Sequence, residues 1–267
     1  MTTRPIFDPA AAGRRLRVAA FMSGSGTNVV KLLERASPHY AVAFIFSDTA
    51  SDRCRGQEIA RRFDLPYFAY DTRRFHEKRG IKRTVKTAQG LAARQEYDQV
   101  AARLVQAFGV DLIALGGYMS FLTLTGAVNV HPADLSLVDG QGRRRFVGDD
   151  AVLEAILAGE RELRSSTLFT DLGVDSGPLL MVSDPLPVEL PAPLAELKAD
   201  PGRLRRVADE HQERLKQAGD WVVFPLTIEL IAQGRLGLDE QGLVYLDGRP
   251  RPGGVRPSEL APGLRGS

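Results

Sequence analysis

A chain of 267 residues, 43% hydrophobic and 25% charged, has the composition of a globular protein with a full core. Its 35 basic and 33 acidic side chains leave a formal charge of +2, which offers no bulk attraction for nucleic acid or an anionic membrane, so any anion site must be local. A lone Cys54 excludes an internal disulfide, the four histidines lack zinc-ligand spacing, and no apolar run is long enough to span a bilayer, so a soluble cytoplasmic protein is expected.

Residues 1–15 carry Arg4, Arg14 and Arg15 beside Pro5, Asp8 and Pro9, lack the apolar core of a secretory signal, and read as a disordered or extended tail. The run LRVAAFM at 16–22 breaks into SGSGTN and then into the helical pattern NVVKLLERA, which predicts strand, glycine turn and helix. VAFIF at 42–46 is a second strand, GQEIARRF at 56–63 a helix, and LPYFAY at 65–70 a third strand. Strands alternating with helices predict an α/β protein with a parallel sheet covered on both faces.

Residues 75–94, with Lys78, Arg79, Lys82, Arg83 and Lys86, look like a basic insertion ahead of an amphipathic helix at about 91–108. DLIALGG at 111–117 reads as a buried strand ending in a glycine pair, and AVNV at 127–130 as a short strand whose end delivers His131. Ligands of open parallel sheets collect at strand carboxyl ends, so that histidine is well placed. Beyond the loop GQGRRRFVGDD, residues 149–160 form a helix with Asp149 or Asp150 as cap. Residues 165–188 then alternate like a hairpin built around 175–178, which turns the parallel pattern antiparallel. A helical region over 201–233, broken near Gly219, a hairpin at 236–250 and a Pro/Gly-rich tail at 255–267 complete the chain.

Two segments carry the most chemistry: Asn129, Val130, His131 and Pro132, and further on Asp175, Ser176, Gly177 and Pro178. A neutral amide, a titratable imidazole and a carboxylate beside tight turns can stabilise a tetrahedral oxyanion and move a proton, which points to acyl transfer. Taken singly, His131 also fits a hydrogen-bonded strand-end histidine and Asp175 a turn former before Gly177. The loop Ser23, Gly24, Ser25, Gly26, Thr27, Asn28 offers free N–H groups at a helix start to an anion, or is an ordinary capped turn. It matches neither the dinucleotide glycine fingerprint nor the Walker lysine pattern, so a monophosphate suits it better than NAD or ATP.

In order and spacing, SGSGTN, LIALGGYMSFL, NVHP, VDSGP, FPLTIELIAQGRL and GLVYLDGRPRPGG make residues 16–254 resemble the folate-dependent formyltransferases, in particular those acting on glycinamide ribonucleotide. The resemblance implies one catalytic domain over 16–254 with a Rossmann-like, mostly parallel sheet, helices on both faces and a C-terminal β-hairpin. It implies transfer of a formyl group from 10-formyltetrahydrofolate, a co-substrate, to the amine of a phosphate-bearing molecule, glycinamide ribonucleotide by default. No metal, nucleic acid or membrane is implied, and a homodimer is left open.

Carried over by motif, Asn129 and a protonated His131 would donate hydrogen bonds to the oxyanion, while Asp175 would keep the imidazole charged and help a water relay the amine proton. Gly26, Thr27 and Asn28 would line the substrate phosphate, and Asp220, one methylene shorter than the family's acidic residue, would meet the amine. Gly117, Tyr118, Met119 and Leu122, with Leu172, Gly173 and Val174, would enclose the pterin; Met119 and Leu122 also fit plain core positions.

The chain departs from that family where Ala133, Asp134, Leu135 and Ser136 replace SLLP, where Ser120 replaces an arginine and where Leu168 replaces a histidine. These departures leave open a formyltransferase for a sugar nucleotide or another amine, a formyltetrahydrofolate hydrolase, and a non-catalytic folate or nucleotide binder. The methionyl-tRNA branch adds a carboxyl-terminal RNA-binding domain, for which the tail is expected to leave no room. Arg143, Arg144 and Arg145 read either as phosphate contacts or as a solvated loop. The basic insertion reads as a site for the anionic glutamate tail of folate, a site for an acidic partner, or a mobile solvated excursion.

Overall fold

LRVAAFM is apolar at positions that point to both faces of a strand, and the fold buries both. In the computed structural model, which describes residues 3–265, the chain begins with β1 (Arg4–Pro5), α1 (Pro9–Ala12), β2 (Leu16–Met22), α2 (Thr27–Glu34), β3 (Tyr40–Ser47) and α3 (Gly56–Arg62). It continues through β4 (Tyr67–Ala69), α4 (Thr72–Arg79), α5 (Ala88–Ala107), β5 (Leu112–Leu115), β6 (Val128–His131), α6 (Ala151–Leu157), β7 (Glu162–Leu163), β8 (Ser166–Phe169) and β9 (Leu179–Val182). Last come β10 (Leu186–Pro187), α7 (Leu194–Ala199), α8 (Pro201–Leu215), a π-helical turn at Lys216–Asp220, α9 (Trp221–Ala232), β11 (Leu236–Leu238), β12 (Val244–Leu246), β13 (Arg249–Pro250) and α10 (Pro262–Arg265).

The main sheet has seven strands in the order β4-β3-β2-β5-β6-β8-β9, parallel from β4 to β6 and antiparallel at β6-β8 and β8-β9. On one face Val18 and Ala114 join Val128, Val130 and Phe224 in a continuous core. Opposite them, Ala19, Phe21, Phe44, Phe46 and Leu115 pack with Tyr97 of α5. The rings of Phe21 and Phe46 lie 4.8 Å apart and those of Phe44 and Phe108 5.0 Å, and each fully buried ring stabilises the fold by roughly 1.5–3 kcal/mol. Helix α9 is apolar on nearly every side, with only Thr227 and Glu229 polar, and it sits buried against β6, β8 and β9. No described helix is long and apolar enough to cross a membrane.

Three segments differ from the sequence expectation. Of the 1–15 stretch, whose residues 1 and 2 lie outside the described residues, the part from residue 3 on is tied down: β1 pairs with β11, Phe7 is buried in the core, and the Asp8 carboxylate caps α1 through Ala10 N and Ala11 N at 3.0 Å. The hairpin expected at 236–250 therefore forms the centre of a four-stranded sheet, β1-β11-β12-β13. At the other end Val255 exchanges backbone hydrogen bonds of 2.9 Å with Leu180 and Val182, so the 255–267 tail begins as an edge contact of the main sheet; residues 266 and 267 lie outside the described residues. Asp150 precedes α6 without capping it, because its carboxylate is drawn to Arg205 at 2.7 Å.

The basic insertion is an ordered helix, α4, followed by a loop, and α5 starts earlier than expected, at Ala88, capped by Thr87. Its lysines lie on the outside while Phe75, His76 and Arg94 are buried. Arg94 donates to Asp98 at 2.6 and 3.1 Å and to the Tyr118 hydroxyl at 2.8 Å. Asp98 also accepts from Thr123 N and Oγ1, both at 2.7 Å, and so pins the loop after β5 to α5. With Arg94 and Asp98 only 4% and 0% exposed, Asp98→Ala strands a guanidinium in the core; a loss of about 3–5 kcal/mol is expected in urea denaturation, and a loss below about 1 kcal/mol would show the pair to be dispensable.

Candidate active site

Strand period sets the first two site residues. Asn129 and His131 are two apart on β6 and share a face, while Val128 and Val130 point into the core. Asn129 stands opposite Leu115 of β5 and Leu168 of β8, and His131 opposite Ser166. Ser166 Oγ donates to the Ala133 carbonyl at 2.6 Å and accepts from Leu135 N at 3.0 Å, which fixes the turn leaving His131.

Asp175 comes from the loop joining β8 to β9 and has φ 49°, a left-handed conformation that aspartate tolerates in turns. Its Oδ2 lies 3.6 Å from His131 Nδ1 and accepts from Gly148 N at 2.9 Å. The Arg144 guanidinium donates to the carbonyls of Asp175 and of Gly177, the latter at 2.7 Å, and clamps the turn from one side. Gly177 is required there, since a Cβ would stand 1.9 Å from the Phe169 carbonyl oxygen. The neighbouring guanidiniums are also engaged, Arg143 with Asp139 at 2.9 Å and Arg145 with Glu160 at 2.7 Å, so the arginine run is scaffold around the turn.

His131 is 6% exposed, and burial pushes its pKa below the ordinary histidine value against the opposing pull of Asp175. Burial thus opposes the protonated form expected of this imidazole, because at 3.6 Å Asp175 does not offset the loss of water. Its Nε2 is buried without a hydrogen-bond partner among the described residues, leaving that nitrogen to a ligand.

Across the cleft, Gly26 opens α2 with φ 66°, and a Cβ there would meet Met22 Cε at 2.5 Å and Ile59 Cδ1 at 2.6 Å. No side chain caps this helix start, which leaves the first-turn N–H groups at Thr27 and Asn28 open toward the cleft. The Asn28 side chain instead donates to Asp220 Oδ2 at 3.3 Å, and Ser165 Oγ donates to Asp220 Oδ1 at 2.5 Å. Asp220 ends the π-helical turn, the observed form of the break expected near Gly219; such turns place side chains at sites that a regular helix would miss.

A cleft of about 620 Å³ joins Asn129, His131, Asp175, Gly26, Thr27, Asn28 and Asp220 with Gly117, Tyr118, Met119, Leu122, Gly173 and Val174. Met119 and Val174 are 68% and 61% exposed at its walls, where they present apolar surface to the cleft. Tyr118 and Leu122 reach the cleft from the core, with the Tyr118 ring 5.6 Å from Phe21. Leu172, expected beside the pterin, is 71% exposed and outside the lining. Asp171 accepts from Gly173 N at 2.9 Å and Ser176 Oγ at 2.7 Å, and this fold of the loop goes with Leu172 turning outward. Sequence reasoning missed Ser165 and Ser166, whose only signal was a pair of strand hydroxyls, and it read Arg144 as a phosphate contact or loop residue where the structure sets it on the Asp175 turn.

Burial pushes the Asp220 carboxyl up to about 6 from 3.8, despite the hydrogen bonds from Ser165 and Asn28. A carboxyl whose pKa is raised on folding binds its proton more tightly in the folded state. Its cost is absent below about pH 4, grows through pH 4–6, and is complete above that window. Asp220→Asn is therefore expected to stabilise the protein at pH 8 by up to about 3 kcal/mol and to do little at pH 4, while slowing turnover. Thermal melts at both pH values check this, and equal shifts at the two would refute it.

Residues 16–189 match the Formyl transferase family profile. The phosphoribosylglycinamide formyltransferase of Haemophilus influenzae is 24% identical over 246 residues, covering 88% of this chain and 96% of the relative. Among solved structures, the phosphoribosylglycinamide formyltransferase of Coxiella burnetii superposes with a TM-score of 0.64 at 20% identity, over 91% of this chain and 99% of that one. Glycinamide ribonucleotide transformylase 1 of Symbiobacterium toebii does so with a TM-score of 0.60 at 26% identity, over 88% and 95%. With the profile spanning most of the chain, from β2 past the Asp175 turn to β10, the protein belongs to the formyl transferase family.

Proposed function

We propose that the protein transfers the formyl group of 10-formyltetrahydrofolate to the amine of a phosphate-bearing substrate, glycinamide ribonucleotide. The observation that carries this reading is the meeting of Asn129, His131 and Asp175 in one cleft, with the uncapped start of α2 and the buried Asp220 on its far side. The relatives named above as acting on phosphoribosylglycinamide support the choice of amine.

In the reaction the amine nitrogen attacks the formyl carbon, a C–N bond forms, and the carbonyl electrons move onto oxygen. The Asn129 amide donates to that oxygen without needing to titrate. His131 begins neutral, with Nδ1 toward Asp175 and Nε2 free for the reacting atoms. Negative charge growing on the formyl oxygen favours the imidazolium, so the His131–Asp175 pair accepts the amine proton as the oxyanion forms. The proton is returned to the folate nitrogen as its bond to the formyl carbon breaks. Asp220 accepts a hydrogen bond from the amine and orients it, and the free N–H groups at Thr27 and Asn28 bind the phosphate.

The same chemistry on a different amine, such as that of a sugar nucleotide, is the second reading, favoured by Leu168 being 1% exposed and offering no polar group to the substrate. Incubation with 10-formyltetrahydrofolate and glycinamide ribonucleotide, following tetrahydrofolate, separates the readings. Release that requires this amine is expected; release with other amines only favours the second reading, release without any amine a hydrolase, and tight folate binding without turnover a binder. His131→Ala is expected to lower kcat by at least about a hundredfold at an unchanged melting temperature, and a rate within a few-fold of the parent would remove His131 from the mechanism.

A further inference from the structure

The two carboxylate oxygens of the buried Asp220 are treated differently by the protein. Oδ1 accepts the Ser165 hydroxyl at 2.5 Å, whereas Oδ2 accepts the longer bond, 3.3 Å, from Asn28 Nδ2. Asn28 Oδ1 is buried without a partner among the described residues, and both Asn28 and Asp220 line the cleft. Ser165 is itself firmly held. Fully buried between β7 and β8, it faces the equally buried Ser183 at the end of β9. Ser165 N donates to Ser183 Oγ at 2.9 Å, Ser183 N donates to the Ser165 carbonyl at 2.8 Å, and Ser183 Oγ donates to the Asp184 carbonyl at 2.8 Å. These bonds occupy the backbone of Ser165 and leave its hydroxyl proton for Asp220, which as a carboxylate can only accept. The approach depends on Gly219, where a Cβ would stand 2.5 Å from Ser165 Oγ and 2.8 Å from Ser165 Cβ. The π-helical turn thus meets the two serines through its one residue without a side chain.

We propose that Ser165 is a positioning residue of the active site: it fixes the Asp220 carboxylate with Oδ1 turned to the protein and with Oδ2, beside Asn28 Oδ1, turned to the donor group of the substrate. What Asp220 meets rests on the function proposed above; how it is held does not. A hydroxyl that donates to a carboxylate favours the charged form over the neutral acid, so Ser165 opposes the burial that raises Asp220 to about 6. The charged groups that act on Asp220 are Lys216 and Glu213, which pair with each other, while α2 and the segment before β8 present Asn28 and Ser165.

Thermal melts of the full chain at pH 4 and pH 8 compare the parent, Ser165→Ala, Asp220→Asn and the double variant. Ser165→Ala removes one buried oxygen and no backbone hydrogen bond, so it is expected to fold. Without the hydroxyl the folded-state pKa of Asp220 rises further, and the added loss of stability is present where the carboxyl is ionised and absent where it is protonated. Ser165→Ala is therefore expected to lower the melting temperature more at pH 8 than at pH 4, and to lower it equally at both in the Asp220→Asn background. An equal loss at the two pH values with Asp220 present would make the serine a packing residue and overturn the proposal. Turnover supplies an independent check. With 10-formyltetrahydrofolate saturating, the acid limb of kcat/KM for glycinamide ribonucleotide is expected to move up by about one pH unit in Ser165→Ala. An acid limb that stays in place would overturn the proposal as well. The expected melts in a protein that does not turn over glycinamide ribonucleotide would instead overturn the function proposed above and leave the hold on Asp220 standing.

Discussion

The candidate active site depends on the register of one four-residue strand. β6 is hydrogen-bonded on both edges, parallel to β5 through Ala114 with Val128 and Leu115 with Asn129, and antiparallel to β8 through all four of its residues. A slip of one residue would send Asn129 and His131 to the opposite face. Val128 and Val130, buried in the core that α9 completes, make that slip costly. The same ladder creates a geometric difficulty, because β8 starts beside His131 and ends beside Val128. The loop after β8 therefore leaves from the wrong end and must fold back along the face of β6, a distance of roughly 10 Å, for Asp175 to meet the histidine. Arg144 and the backbone of Gly148 hold it there, which is why a residue that touches no reacting atom is built into the site.

That arrangement explains the electrostatics. His131 and Asp220 belong to opposite walls, yet both are driven toward their neutral forms by the same cause, removal from water. A neutral imidazole is suited to accept a proton, and a carboxyl near 6 is ionised at neutral pH with no cation hydrogen-bonded to it among the described residues, since Lys216 pairs with Glu213 and acts on Asp220 only at a distance. Ser165 and Asn28 give Asp220 two hydrogen bonds and no charge, so an amine is the complement the site lacks. Charge developing between the walls would be felt strongly, since little water is present to screen it.

The parts of the fold decided by local pattern could be read from the sequence. LRVAAFM at 16–22 became β2 with those bounds, and the strand expected at 127–130 became β6, one residue displaced. What escaped was decided by partners distant in sequence. β1 exists because β11 offers it an edge, the Asp150 carboxylate pairs with Arg205 and makes no cap, and α4 is ordered because Phe75 packs on Tyr97 and Arg79 pairs with Glu96. The downward pull on His131 escaped for another reason: motif logic counted Asp175 as a partner, whereas the balance depends on 3.6 Å and on burial, neither of which spacing records.

The departures from the family pattern alter walls, while Asn129, His131 and Asp175 still meet in one cleft. In place of SLLP, Ser136 N and Oγ turn onto Asp134 Oδ1, Asp134 pairs with Arg164 at 3.4 Å, and Leu135 fills the core, so a polar turn replaces an apolar one behind His131. Leu168 likewise becomes part of that core. Ser120 acts differently, because its hydroxyl goes to Asp48 and leaves the wall beside Met119 with no cation of its own. A cationic side chain at 120 would have met the buried Asp48 directly and been neutralised there. With a serine there, Asp48 is met by hydroxyls of Ser120 and Thr49, and the positive charge of the neighbouring segments stands on Arg53, Arg73, Arg74 and Arg83, beyond that contact.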